Sequence, residues 1–189
     1  MVSWRKEIPI KVIGFVWKAA QGRIASAAAL SHRGIPLTST ACGRCGCLED
    51  ADHILVVCPF AALVRDQISQ WCGVRLPPFN DVKSVLEFVK HWGRCPKQRR
   101  ILNLVIYGML WRLWIFRNDR VFNTRHISVN RAKDDIRSTV FLWAKHRGNF
   151  GICNWNRWCI SPFWLLSFLS GFLFCSCCPP SFWLGLGAF

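Results

Sequence analysis

The stretch Cys42-Gly43-Arg44-Cys45-Gly46-Cys47-Leu48-Glu49-Asp50-Ala51-Asp52-His53-Ile54-Leu55-Val56-Val57-Cys58-Pro59 decides how this chain is read. It contains Cys-x2-Cys, a seven-residue gap and His-x4-Cys. A Cys-x2-Cys turn, eased here by Gly43 and Gly46, aims two sulfurs at one point. A Cys3His set then makes a tetrahedral zinc shell with bonds of about 2.0–2.3 Å. Cys42, Cys45, His53 and Cys58 are therefore the expected ligands, and zinc is the expected cofactor. Five residues of continuous helix would rotate Cys58 away from His53, so the helix must break between them. Pro59 supplies the reason, because it biases Cys58 out of the α region. The expectation is a short turn carrying His53, a break, and Cys58 at the start of the next helix. Glu49, Asp50 and Asp52 make the loop acidic, which draws a cation and makes a poor grip for phosphate. Cys47 in place of Cys45 would give Cys-x4-Cys, a less common turn. The competing reading treats the thiols as small buried hydrophobes, with His53 exposed.

Outward from this loop the apolar pattern is helical. Val12, Phe15, Val16 and Ala19 predict a helix over Lys11–Gln21, and an Ala-rich segment predicts another over Ile24–Arg33, closed by Gly34. Ile35–Asp52 has neither helical nor strand period and must be ordered by something other than packing. Pro59 opens a helix with Ala62, Leu63, Ile68 and Trp71 on its apolar face. Asp81 is placed to cap a helix reaching Trp92, stopped by Gly93. The basic run Arg94-Cys95-Pro96-Lys97-Gln98-Arg99-Arg100 precedes Ile101–Phe116, which reads as a central helix buried on most sides, with Arg112 and Arg117 as charged exceptions. A last helix is expected over Asn130–Arg147. No strand alternation of comparable length and no internal repeat is present. The expected fold is mainly α: a small helical domain with a zinc-ordered loop over 1–75, a helical extension over 76–159, and an apolar C-terminal tail over 160–189.

Composition agrees with a folded chain, since 52% of the 189 residues are hydrophobic and disorder requires the opposite. All 25 Lys and Arg and all 10 Asp and Glu precede Ile160, so the tail carries no charge. Eleven cysteines fall below the roughly 8–10% of a small disulfide scaffold, and the odd count leaves a thiol unpaired. With no secretory apolar run at the start, the expected location is intracellular, nuclear or cytoplasmic, in a reducing compartment. Phe163–Cys178 is apolar but short of the about 20 residues needed to span a bilayer, and Pro179-Pro180 interrupts it. Membrane association through 163–189 is the minor reading. A further thiol site from His146, Cys153 and Cys159 has irregular spacing and reads as buried thiols. Cys175, Cys177 and Cys178 lack a His or acidic companion and read as plain apolar composition.

The order of motifs resembles the zinc-binding domain at the C-terminal end of plant LINE-type, non-LTR retrotransposon reverse transcriptases. The residues that carry the resemblance are Trp4, Pro9 and Lys11, Phe15 and Trp17, Arg23, Leu30 with Arg33-Gly34, the Cys42 and Cys45 pair, and His53, Cys58 and Pro59. It covers about residues 4–75 and, more loosely, Trp111–Phe122, where Trp-x-x-Trp-x-x-Arg-Asn looks like the segment following the zinc module. Ile24-Ala25-Ser26 stands where the family has Leu-Pro-Thr, and the tail has no counterpart, as a gene-model extension would not. The resemblance implies a fragment of a mobile-element polyprotein.

The residues imply no catalysis of their own. The one tyrosine, Tyr107, precedes Gly108-Met109-Leu110, so no Tyr-x-Asp-Asp box holds polymerase magnesium, and the acids are too scattered for a nuclease cluster. No Gly-rich phosphate loop or nucleophile elbow is present. A formal charge of +15 points to a polyanionic partner, RNA or DNA. The candidate contacts are Arg94, Lys97, Arg99, Arg100, Arg120, Arg125, Arg131 and Lys133, with base stacking by Trp4 or Trp17 as a minor extra. The other class is a folding staple within a larger reverse-transcriptase polyprotein, binding nothing alone.

Overall fold

The computed structural model describes residues 5–152 and 154–163. Trp4, Cys153 and the tail beyond Phe163, with Cys175, Cys177 and Cys178, lie outside them. The chain is mainly α. Among the described residues seven α-helices run in order: α1 Ile10–Ala20, α2 Ala27–His32, α3 Pro59–Cys72, α4 Val82–His91, α5 Pro96–Asn123, α6 Val129–Arg147 and α7 Trp155–Ile160. A π-helical turn, His53–Val57, sits before α3. Among the described residues the only extended pairing is a single antiparallel bridge, Ala41 with Leu48.

The helix boundaries follow from caps. Ser26 accepts from the Ala29 N–H, so α2 starts at Ala27 and is shorter than the expected Ile24–Arg33. Asp81 caps α4 by accepting from the Ser84 N–H at 2.6 Å, as its position in the sequence predicts. The largest correction concerns the basic run, which is not a separate segment. Pro96 occupies the first turn of α5, where its missing N–H costs nothing, and Lys97–Arg100 belong to that helix. At its other end α5 continues past Phe116 to Asn123, so the central helix has 28 residues. Helix α7 is not signalled by apolar periodicity; Asn154 caps it by accepting from the Arg157 N–H.

Helix α5 is the axis of the molecule. Its residues 101–110 are all buried, which requires neighbours on every side, and α1, α3, α4, α6 and the π turn all pack on it. Phe15 of α1 meets Trp111 edge-on at 5.3 Å and Trp114 at 5.8 Å. Helix α6 packs tightly on Gly108, where an added Cβ would overlap Val140 Cγ1. Helix α7 closes the far side: Trp158 is fully buried against Trp71 of α3, at 5.4 Å and steeply inclined, and the Trp71 indole N–H donates to the Trp158 carbonyl. One continuous apolar core runs from Ile8 to Phe163.

Buried charge ties the amino-terminal half to α5 in two places. Glu7, 5% exposed at its side chain, pairs with Arg100 in the first part of α5. Glu49, 3% exposed, pairs with Arg117 and Arg120 near its end. Each is a carboxylate removed from water and matched by guanidinium, an arrangement that costs several kcal/mol per ion unless the partner is present.

Candidate metal centre

The loop before α3 is built as a knuckle. The Cys42 N–H donates to the Cys47 carbonyl at 2.7 Å, and the Gly46 N–H to the Cys42 carbonyl at 2.8 Å. Gly46 has φ +76°, a left-handed conformation that a side chain disfavours, and this lets the chain turn sharply enough to present Cys42 and Cys45 together. The Glu49 N–H closes the base of the hairpin on the Thr40 carbonyl at 2.9 Å. Burial alone would not hold so short and polar a segment, so these backbone bonds set the direction of both sulfurs.

The second half is shaped by the π turn. In an α-helix, 3.6 residues per turn put the fifth residue onward about 140° away around the axis. Here the Cys58 N–H instead bonds the His53 carbonyl, five residues back, at 2.8 Å. An i→i+5 bond closes the turn on Cys58 itself and returns it to the side of His53. Cys58 then leaves the helical region with ψ 134°, and Pro59 starts α3. His53 is fixed from below by the Asp50 carboxylate, which accepts its backbone N–H at 2.7 Å.

Together these devices bring one donor atom from each of Cys42, Cys45, His53 and Cys58 within 4.8 Å of one another. Cys45 Sγ and His53 Nε2 lie 3.2 Å apart. Zinc bonds of about 2.0–2.3 Å set tetrahedral edges of about 3.5–3.8 Å, so the donor set suits a zinc ion after a small contraction. His53 is 7% exposed, contrary to the reading that leaves it in solvent. Cys47 does not join the cluster; its exposed Sγ faces the Cys45 carbonyl at 3.9 Å.

The thiols differ in how readily they ionise. Burial opposes the Cys42 thiolate, but the Arg44 backbone N–H, His53 and the Cys45 N–H outweigh it and hold its pKa below the ordinary value. The Cys47 N–H does the same for Cys45. Burial pushes the Cys58 thiol up to about 11. A cation at this point reverses that, since coordination removes the thiol proton outright.

The acids of the loop each have a partner in the fold. Asp50 holds His53, Asp52 accepts the Val82 N–H at 2.8 Å, and Glu49 is enclosed by arginines. Arginine is what sequence reasoning missed. Arg117 Nε reaches Glu49 Oε1 at 3.0 Å, and Arg120 Nη2 reaches Glu49 Oε2 at 3.1 Å. Arg44 lies over the Phe60 ring at 3.7 Å and donates to the Ile127 carbonyl. Its pKa falls below the ordinary value through burial and then the like charge of Arg120. A small cleft beside the cluster is lined by Cys42, Arg44, Ile54, Cys58, Phe60, Leu113, Phe116, Arg117 and Arg120. A charged residue in an otherwise apolar helix was the available signal for Arg117.

The expected nucleic-acid contacts are scattered over the surface. Arg94, Arg125 and Arg131 are exposed, with Arg131 near Asp135. Lys97 is half-buried, and Lys133 reaches Gln67 at 3.4 Å. Arg99 donates to the Trp92 carbonyl at 2.8 Å, while Arg100 and Arg120 pair with Glu7 and Glu49. His146 is exposed and Cys159 half-buried. Among the described residues no helix is long and apolar enough to cross a membrane.

Residues 1–64 match the family model described as zinc-binding in reverse transcriptase. No curated protein and no solved structure matches the chain. The family match and the Cys3His cluster together fit a zinc-binding module of reverse-transcriptase type.

Proposed function

We propose that this chain is a non-catalytic, zinc-ordered module derived from a LINE-type retrotransposon polyprotein, and that its basic surface contacts RNA or DNA phosphates. Zinc would be held by Cys42, Cys45, His53 and Cys58. Its contribution is structural: it ties the knuckle, whose shape the backbone bonds set, to the π turn and the start of α3. The observation that carries the nucleic-acid reading is a +15 charge combined with arginines left exposed at Arg94, Arg125 and Arg131. Contacts of this type read backbone charge, so affinity falls with salt by a log–log slope of about 0.7 per phosphate for single strands and 0.9 for duplex. Fluorescence anisotropy of the full chain on labelled RNA and DNA at several salt concentrations tests this. Binding that weakens steeply with salt is expected; a salt-independent complex, or none at low ionic strength, overturns it.

A second reading is favoured by the internal use of Arg99, Arg100 and Arg120, whose donors are spent within the protein. In that reading the module is a folding staple of a larger polymerase. Zinc removal would then lower its melting temperature while no nucleic acid binds at any salt.

A further inference from the structure

Outside the four candidate ligands, the unexplained feature of this molecule is a buried carboxylate held by two guanidinium groups beside the sulfurs, with a third guanidinium nearby. Arg120 Nη2 is 3.1 Å from Glu49 Oε2 and 3.9 Å from Cys42 Sγ, and its guanidinium packs over Gly43 of the knuckle. Arg117 takes the other Glu49 oxygen, and Arg44 lies across the same cleft. Glu49 is placed rigidly with respect to Cys42, because both belong to the hairpin closed by the Thr40–Glu49 and Cys42–Cys47 backbone bonds.

Charge explains the grouping. Three guanidiniums and one carboxylate leave two positive charges beside the sulfurs. Zinc with three thiolates and a neutral imidazole carries one negative charge, which halves that excess. A guanidinium donor to a thiolate is a charge-assisted hydrogen bond, and partners of this kind around metal ligands fix orientation and tune affinity.

We propose that Arg120, held by Glu49, is an outer-shell positioning residue of the zinc centre, donating to the Cys42 sulfur from α5. The proposal rests on the zinc reading and adds to it. It makes the metal site a joint product of residues 1–64 and Arg120, near the end of the helix that begins at Pro96.

The experiment compares full-length wild type with Arg120→Gln, Arg120→Lys and, as a surface control, Arg75→Gln. Zinc affinity is measured by chelator competition, and the sulfur-to-metal charge-transfer band is recorded with Co2+ in place of zinc. Arg120→Gln should weaken zinc binding about 10–100-fold and move the band to lower energy, because the sulfur loses its positive donor. Arg120→Lys keeps a single charged nitrogen, and in the wild type it is one nitrogen, Nη2, that meets both Glu49 and the Cys42 sulfur; the Lys variant should fold, bind zinc more tightly than the Gln variant, and hold its band nearer to wild type. Arg75→Gln should match wild type in both. A purely structural role would lower stability without moving the band. A folded Arg120→Gln protein with wild-type affinity and an unmoved band overturns the proposal while leaving the zinc reading intact. A folded wild-type protein that takes up neither metal overturns both.

Discussion

Cys47 and Cys42 differ by five positions and by everything that matters to a metal. Cys42 is buried, with its thiolate favoured by local N–H donors; Cys47 is exposed, and its neighbour Cys45 pushes its thiol up through a shared hydrogen bond. Spacing alone left either Cys45 or Cys47 available. The hairpin separates them, because the turn at Gly46 directs Cys45 inward while the Cys47 carbonyl is held by the Cys42 N–H. Cys47→Ser is therefore expected to keep one zinc per chain and wild-type melting. Cys42→Ser or His53→Ala should lose the metal and melt well below wild type, with a chelator having no further effect. Metal analysis and thermal melting with and without chelator check this, and equal behaviour of Cys47→Ser and Cys42→Ser would sink the ligand assignment.

At the scale of the element, caps and close approaches decide what apolar periodicity leaves open. The pattern located α1, α3, α4 and α6 because each shows one apolar stripe, but α5 shows none, so its ends had to be set by Pro96 and by Thr124, which is left-handed at φ 52°. Gly108 shows the cost of a side chain within that helix. Elsewhere a helical Gly→Ala change stabilises by up to about 1 kcal/mol. Here the new Cβ would overlap Val140 Cγ1, on a β-branched side chain that has little rotamer freedom to withdraw. Gly108→Ala should instead destabilise by about 1–3 kcal/mol in urea unfolding. Asp81 gives a pH-dependent counterpart. The Ser84 N–H is the main cause holding its carboxyl pKa below the ordinary value, so its contribution is present above the unfolded-state pKa and is lost as pH falls through the folded one. Asp81→Ala should cost about 1 kcal/mol at neutral pH. The difference from wild type should close below about pH 4, the region where an unperturbed Asp titrates; a constant difference down to pH 2 would contradict the cap.

At the scale of the whole molecule, the zinc loop was readable in sequence because a ligand pattern is local, and its supports were not because they come from far along the chain. Nothing in residues 1–75 announces that Glu49 needs Arg117 and Arg120, that Glu7 needs Arg100, or that Phe15 packs on Trp111 and Trp114. Trp-x-x-Trp-x-x-Arg-Asn was visible as a motif, yet its partners follow only from the packing of α1 and the knuckle against α5. This has a consequence for fragments. A chain ended at residue 75 keeps all four donors but strands two carboxylates that the full protein buries, and exposes the apolar faces of α1 and α3. Zinc binding can order the knuckle locally, and its free energy adds to folding only where a folded state exists to receive it. The fragment 1–75 is therefore expected to take up zinc without a cooperative thermal transition, whereas residues 1–163 with zinc should melt in one sharp step followed by circular dichroism. A zinc-dependent cooperative melt of 1–75 alone would show that the ion and its immediate helices suffice, and that α5 is a neighbour of the module and not a part of it.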